Sequence, residues 1–175
     1  MRRILLSCVL FGVLALPAAA VAGSSAPSKP GYLVVRKAAG DGGVNGRPVV
    51  TLVVRGFVLG RISQEARVAV YYLPSKSAGG TPQVQQGADV STSTRRWNGL
   101  PGKVFRGINF RFRAMGGFYR VVVRGSGVYL FAGGHGHVTL RGSSVNPRAD
   151  GWYSVDASKF RSLPQGPVQL KIGGG

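Results

Sequence analysis

The 175 residues carry 23 Lys and Arg against five Asp and Glu, a formal net charge of +18, with one cysteine, two histidines and 28 glycines. One thiol cannot form an intrachain disulfide or a thiolate metal cluster, and five carboxylates leave few acid–base pairs, so a disulfide scaffold and most hydrolytic machinery are excluded. The positive field attracts polyanions of any kind.

The first 22 residues read as a signal peptide. Arg2 and Arg3 precede an apolar run from Ile4 to Leu16, and Pro17 introduces small residues ending in Ala20-Val21-Ala22. The run is shorter than the roughly 20 apolar residues of a membrane span. Cleavage near Ala22 is expected, giving a secreted or envelope-associated protein without a transmembrane helix. The single cysteine, Cys8, lies in the apolar run and leaves with it. The mature net charge falls from +18 to +16 with the loss of Arg2 and Arg3. Fifteen of the mature cations are arginine and six lysine, a bias that a GC-rich genome also produces.

Residues 23–30 (GSSAPSKP) form a flexible leader, and residues 31–175 have the length of one domain. Tyr32–Lys37 reads as a first strand and Ala38–Arg47 as a turn-forming loop. In Pro48–Leu59 both faces are largely apolar, which predicts a central strand, and Gly56 within it predicts a bulge or bend. Arg67–Leu73 follows as another strand. The polar segment Pro74–Gly102 is too long for a structureless loop, so short edge strands such as Gln83–Gln85 are expected inside it. Its Arg95-Arg96-Trp97 group would either stack on a sugar or base, or close one end of a sandwich.

Ile108, Phe110, Phe112 and Ala114 alternate with polar residues, and Tyr119, Val121 and Val123 resume the apolar face after Gly116-Gly117. The glycine pair predicts a tight hairpin turn. Such a hairpin presents Arg111, Arg113, Arg120 and Arg124 on one side, and cross-strand like charges need water or a counterion between them. Val128–Phe131 and Val138–Leu140 read as further short strands, with Gly133–His137 as a glycine-rich turn. Trp152 falls in a turn running into a strand, and Pro167–Ile172 closes the chain.

Catalytic constellations are sparse. His135 and His137 stand two residues apart and would point the same way in an extended segment, half of a zinc or copper site, with Asp150 the nearest carboxylate in sequence to complete it. Otherwise they are exposed loop histidines. Neither a G-x-S-x-G elbow nor an S-x-x-K pair is present. Asp150 and Asp156 suit turns or caps better than paired acid–base work. Gly125-x-Gly127 and Gly134-x-Gly136 lie between strands, outside the context of a nucleotide-binding loop.

The chain resembles an uncharacterised family of exported, glycine-rich all-β proteins of actinobacteria. The resemblance rests on VVRGFVLGRI (Val53–Ile62), FRFRAMGGFYRVVVRGSGV (Phe110–Val128), GHGHVTLRG (Gly134–Gly142), DGWYSVD (Asp150–Asp156) and RSLP (Arg161–Pro164), and it covers most of the mature chain. It implies an all-β fold, no known activity and no binding residue to carry over, with small residues often standing where this chain has His135 and His137.

The expectation is an antiparallel β-sandwich of about eight to eleven short strands, with barrel-like closure open, and no catalytic or cofactor-binding residues. Its expected role is to bind anionic cell-wall polymers or polysaccharide through Arg111, Arg113, Arg120 and Arg124, without specific nucleic-acid recognition. Two alternatives stand beside it. One is a metal-binding protein or metal-dependent hydrolase using His135 and His137. The other is a carbohydrate-binding module using Trp97 or Trp152, with Arg95 and Arg96 as further stacking candidates.

Overall fold

The computed structural model describes residues 29–36, 47–74, 83–85, 89–142 and 150–174. The expected signal peptide, most of the leader and the loop at 38–46 lie outside the described residues. Eleven strands follow in chain order: β1 (Gly31–Arg36), β2 (Val49–Ile62), β3 (Ala66–Tyr72), β4 (Gln83–Gln85), β5 (Ser91–Trp97), β6 (Leu100–Gly107), β7 (Phe110–Gly125), β8 (Val128–Arg141), β9 (Trp152–Val155), β10 (Arg161–Ser162) and β11 (Val168–Ile172). They form one antiparallel sheet in the order β10-β9-β1-β8-β2-β7-β3-β6-β5, which does not close into a barrel.

Three long strands make the sandwich. β8 pairs with β1 through 130–134 and with β11 through 136–140, while β7 pairs with β4 through 111–113 and with β3 through 119–125. β2 lies between them along its whole length. The sheet therefore has two arms that share β8, β2 and β7. The first arm holds β10, β9, β1 and β4, and the second holds β11, β3, β6 and β5. The inward residues of both arms join one core, including Leu33, Val58, Phe110 and Leu130 from the first and Leu52, Val68, Val121 and Leu140 from the second.

The fold from one arm to the other occurs at a row of glycines. Gly56 of β2 stands opposite Gly134 of β8 and Gly117 of β7. Its φ is 151°, and a methyl group on it would overlap the Gly133 carbonyl oxygen. On β7 the register slips: Gly56 pairs with Gly117 and Phe57 with Met115, which leaves Gly116 as a bulge with φ 70°. The bulge reverses the inward parity. Phe110, Phe112 and Ala114 are buried before it, and Tyr119, Val121 and Val123 after it. Without the extra residue one half of β7 would turn its apolar side chains to solvent.

This corrects several expectations. Gly116-Gly117 is not a hairpin turn: a one-residue bulge produces the same shift of apolar parity, and β7 continues through it. Gly133–His137 is not a turn either, because those residues are paired with β2 throughout. What read as four short runs is two long strands. Ile108 sits in the turn before β7 and is exposed rather than inward, next to Asn109 with φ 49°. The expected edge strand Gln83–Gln85 is β4, the central strand at Val50 is β2, and the polar segment Ala157–Gly166, which reads from its residues as a bend, contains the two-residue β10.

Two tethers hold the arms in place. Asp156 accepts a 2.7 Å hydrogen bond from the Tyr32 backbone N–H and a longer one from Gly173 N–H, tying the start of β1 to the end of β11. Tyr119, fully buried against Tyr72, donates its hydroxyl hydrogen to the Met115 carbonyl at 2.7 Å, spanning the bulge. Burial pushes the Tyr119 hydroxyl above its ordinary value of 10.0, reinforced by Tyr72 and opposed by that hydrogen bond.

Gly116→Ala faces open space and meets only the backbone strain, so it should cost about 1–2 kcal/mol in urea unfolding. Gly56→Ala adds an overlap with backbone and should cost more, about 3 kcal/mol or greater. Equal losses would contradict the hinge role of Gly56. Tyr119→Phe should lose about 0.5–1.5 kcal/mol at neutral pH by removing the hydrogen bond to the Met115 carbonyl. Because the folded-state value of Tyr119 is raised, its contribution is intact below the ordinary tyrosine value and is lost as pH rises above it. Midpoints measured across alkaline pH should therefore fall less steeply in Tyr119→Phe than in the parent.

Candidate polyanion-binding face

Alternation along the strands decides which side chains leave the core. On the second arm the outward positions are Arg67, Ala69 and Tyr71 of β3, Arg120, Val122 and Arg124 of β7, and Val104 and Arg106 of β6. Register then aligns them. Arg106 is directly opposite Arg67, and Arg67 directly opposite Arg124, so three exposed arginines stand side by side on adjacent strands. Arg141 of β8 extends the same line beyond Val49 of β2. Strands lie about 4.8 Å apart, so the line from Arg106 to Arg141 crosses roughly 19 Å of sheet.

Four residues along the strands, about 13 Å away, runs a second line. Arg95 of β5 faces Gly102, Tyr71 faces both Gly102 and Arg120, and Val53, His137 and Lys171 continue across β2, β8 and β11. Between the two lines the floor is Val104, Ala69, Val122, Thr51 and Thr139. Val104, Ala69 and Tyr71 are buried as a small cluster outside the main core, with Trp97 and Val122 packed on it. A trough with cationic borders and a smooth floor results.

Trp97 forms a wall at one end of the trough. Its ring lies 6.0 Å from that of Tyr71 at 44°, and the Arg120 guanidinium sits 4.2 Å above it. A pocket of about 230 Å³ opens there, bordered by Arg67, Tyr71, Trp97, Arg120 and Arg124. The tryptophan therefore does not close the sandwich end; it packs on the outer face of the sheet. One face of its ring is already occupied by a cation.

The described carboxylates are placed elsewhere. Among the described residues one ion pair forms, Arg47 with Glu65 at 3.2 Å, between two exposed side chains. Asp156 serves backbone N–H groups, Asp150 is buried, and Asp89 stands in the turn before β5. No described carboxylate reaches Arg67, Arg106, Arg120 or Arg124.

The expected basic face is thus rearranged. Arg120 and Arg124 lie on it, but Arg111 and Arg113 lie beyond the bulge on the first arm, whose outer face looks the other way. Arg113 there is held by the Gln83 side chain. Arg95 shares the side of Trp97, whereas Arg96 alternates to the opposite side of β5. Trp152 is on β9, next to Arg36, in the first arm. Sequence reading missed Arg67, Arg106 and Arg141, because only strand register brings them into line with Arg124.

His135 and His137 do point the same way, half-buried on β8. Their cross-strand neighbours are Arg55 and Lys171 respectively, which makes the surroundings unfavourable for a further cation. Among the described residues no group of three or more His, Cys, Asp or Glu comes together. No helix of the described residues is long and apolar enough to cross a membrane.

Replacing Arg120 by Ala uncovers the Trp97 ring. In a Trp152→Phe background the emission of Trp97 should shift to longer wavelength, with a stability loss of about 0.5–1 kcal/mol. An unchanged spectrum would mean that Arg120 does not rest on the ring in solution.

Compared with known protein families, curated proteins and solved structures, the chain matches none.

Proposed function

We propose that this is a non-enzymatic binding module of the cell envelope that holds a linear polyanion, a wall polymer or an acidic polysaccharide, in the trough on its second arm. The observation that carries this reading is the line Arg106–Arg67–Arg124. Like charges directly opposite across strands are destabilising by a few tenths to about 1 kcal/mol per pair. Here two such contacts occur in succession, and no described carboxylate compensates them. A polymer laid across the strands supplies regularly spaced negative charges to both borders of the trough. The floor is open at Val122, Thr51 and Thr139, whose small side chains let it approach closely, while Val104 and Ala69 lie beneath Trp97.

The floor also sets a size limit. With about 13 Å between the borders, one polymer chain fits between them and contacts both. The arginine stems hold no fixed pattern of donors and acceptors aimed at base edges, so the affinity is for charge spacing and not for sequence in a nucleic acid.

Binding of inorganic polyphosphate and of polygalacturonate, followed by titration calorimetry, tests this. The logarithm of the affinity should fall linearly with the logarithm of salt, because each neutralised charge releases a counterion. Arg67→Gln, Arg106→Gln and Arg124→Gln together should reduce the slope by roughly 2 and weaken binding to both polymers. Arg111→Gln should leave the slope nearly unchanged. No binding at low salt, or an equal effect of Arg111→Gln, would overturn the assignment of the trough.

A further inference from the structure

The outer face of the first arm is of a different kind. Along β1, β8, β2 and β7 the outward residues include Tyr32, Phe131, Tyr129, Leu59 and Met115, each between 37% and 49% exposed. These are five of the largest exposed apolar side chains of the described residues, and they are contiguous. Phe131 stacks on Tyr32 at 5.8 Å and 8°, and leans against Phe57 at 5.4 Å. Phe131, Tyr129, Leu59 and Met115, together with Val34, border a shallow groove of about 640 Å³, with Tyr32 and Phe57 packed on Phe131.

Arginines border the same groove. Arg61 stands opposite both Tyr129 and Arg111, and Arg113 stands opposite Leu59. Arg36, whose guanidinium lies 4.7 Å over the Phe160 ring, and Trp152 beside it complete the margin. No described carboxylate belongs to this face. Asp156, at the Tyr32 end, is engaged by backbone N–H groups.

An exposed apolar patch of this extent marks an interaction surface. The charge decides its partner. A second copy of the chain would set Arg36, Arg61 and Arg111 of one protomer near the same arginines of the other, with no acid between them. An apolar partner without charge leaves those guanidinium groups unmatched. An anionic lipid surface satisfies both parts, taking apolar and aromatic side chains into the headgroup and acyl boundary while the arginines meet phosphates. We propose that the first arm docks face-on to an anionic lipid bilayer surface, leaving the trough of the second arm directed away from it.

Flotation with vesicles of phosphatidylcholine alone and of phosphatidylcholine mixed with phosphatidylglycerol tests the docking. The protein should float with the mixed vesicles and remain behind with the neutral ones. Arg36→Gln, Arg61→Gln and Arg111→Gln together should weaken binding about a hundredfold, about fivefold for each arginine. Met115→Ser and Leu59→Ser, at exposed positions, should weaken it while polyphosphate binding is unchanged. Brominated lipids give a second measurement that needs no change in the docking face. They should quench Trp152 in a Trp97→Phe protein and leave Trp97 unquenched in a Trp152→Phe protein. Failure to float at low salt, quenching of Trp97 instead of Trp152, or a Met115→Ser effect confined to self-association would overturn the proposal. Loss of vesicle binding on replacing Arg67, Arg106 and Arg124 alone would assign the attraction to the trough and likewise overturn it. The docking stands or falls independently of polyphosphate binding.

Discussion

The glycine level where Gly134, Gly56 and Gly117 lie side by side is the constraint on which the molecule depends. Strands of fourteen to sixteen residues run through it, with buried positions on both sides, so a flat sheet would leave one large apolar face in water. The sheet instead folds so that its two arms cover each other. Folding three adjacent strands at one level brings their backbones close, and a side chain at Gly56 would collide with the carbonyl of its neighbour. Glycine is the residue that permits this approach.

The bulge at Gly116 completes the hinge. β2 and β8 keep even-numbered residues inward on both sides of the bend, and β7 changes from even to odd. The extra residue lets β7, one of the two strands flanking β2, pass the bend without exposing its apolar side chains. Tyr119 then fixes the conformation, with its hydroxyl bonded back across the bulge to Met115. Buried, hydrogen-bonded side chains at such a point convert a local irregularity into a fixed angle between the arms.

Much of this was legible in the residues. β-Branched and aromatic runs located β1, β2 and β3, alternation located both halves of β7, and the short strands separated by glycine turns identified an all-β chain. The hinge was not legible, because Gly116-Gly117 has the same local chemistry as a hairpin turn and the apolar parity shifts equally in both cases. Only pairing with a third strand, β2 on one side and β3 or β4 on the other, separates the two. The candidate site had the same difficulty. Arg67, Arg106 and Arg124 come from three strands distant in sequence, and their adjacency is a property of register. Arg120 and Arg124 were visible because they share one strand, and Arg111 and Arg113 were grouped with them on the strength of a hairpin that does not form.

The hinge also divides the positive charge between two surfaces of different chemistry. On the second arm the spaces between cations are filled by valine, alanine and threonine, which bury little further apolar area when a partner arrives. Attraction there is electrostatic and screened by salt. On the first arm the same spacing between arginines is filled by Tyr32, Phe131, Tyr129, Leu59 and Met115, so a partner that brings apolar surface gains a contribution salt does not screen. Net charge alone would treat the two faces as one. Their difference comes from which residues share a parity with the arginines on each side of the bend, and it persists only while the glycine level holds the arms back to back.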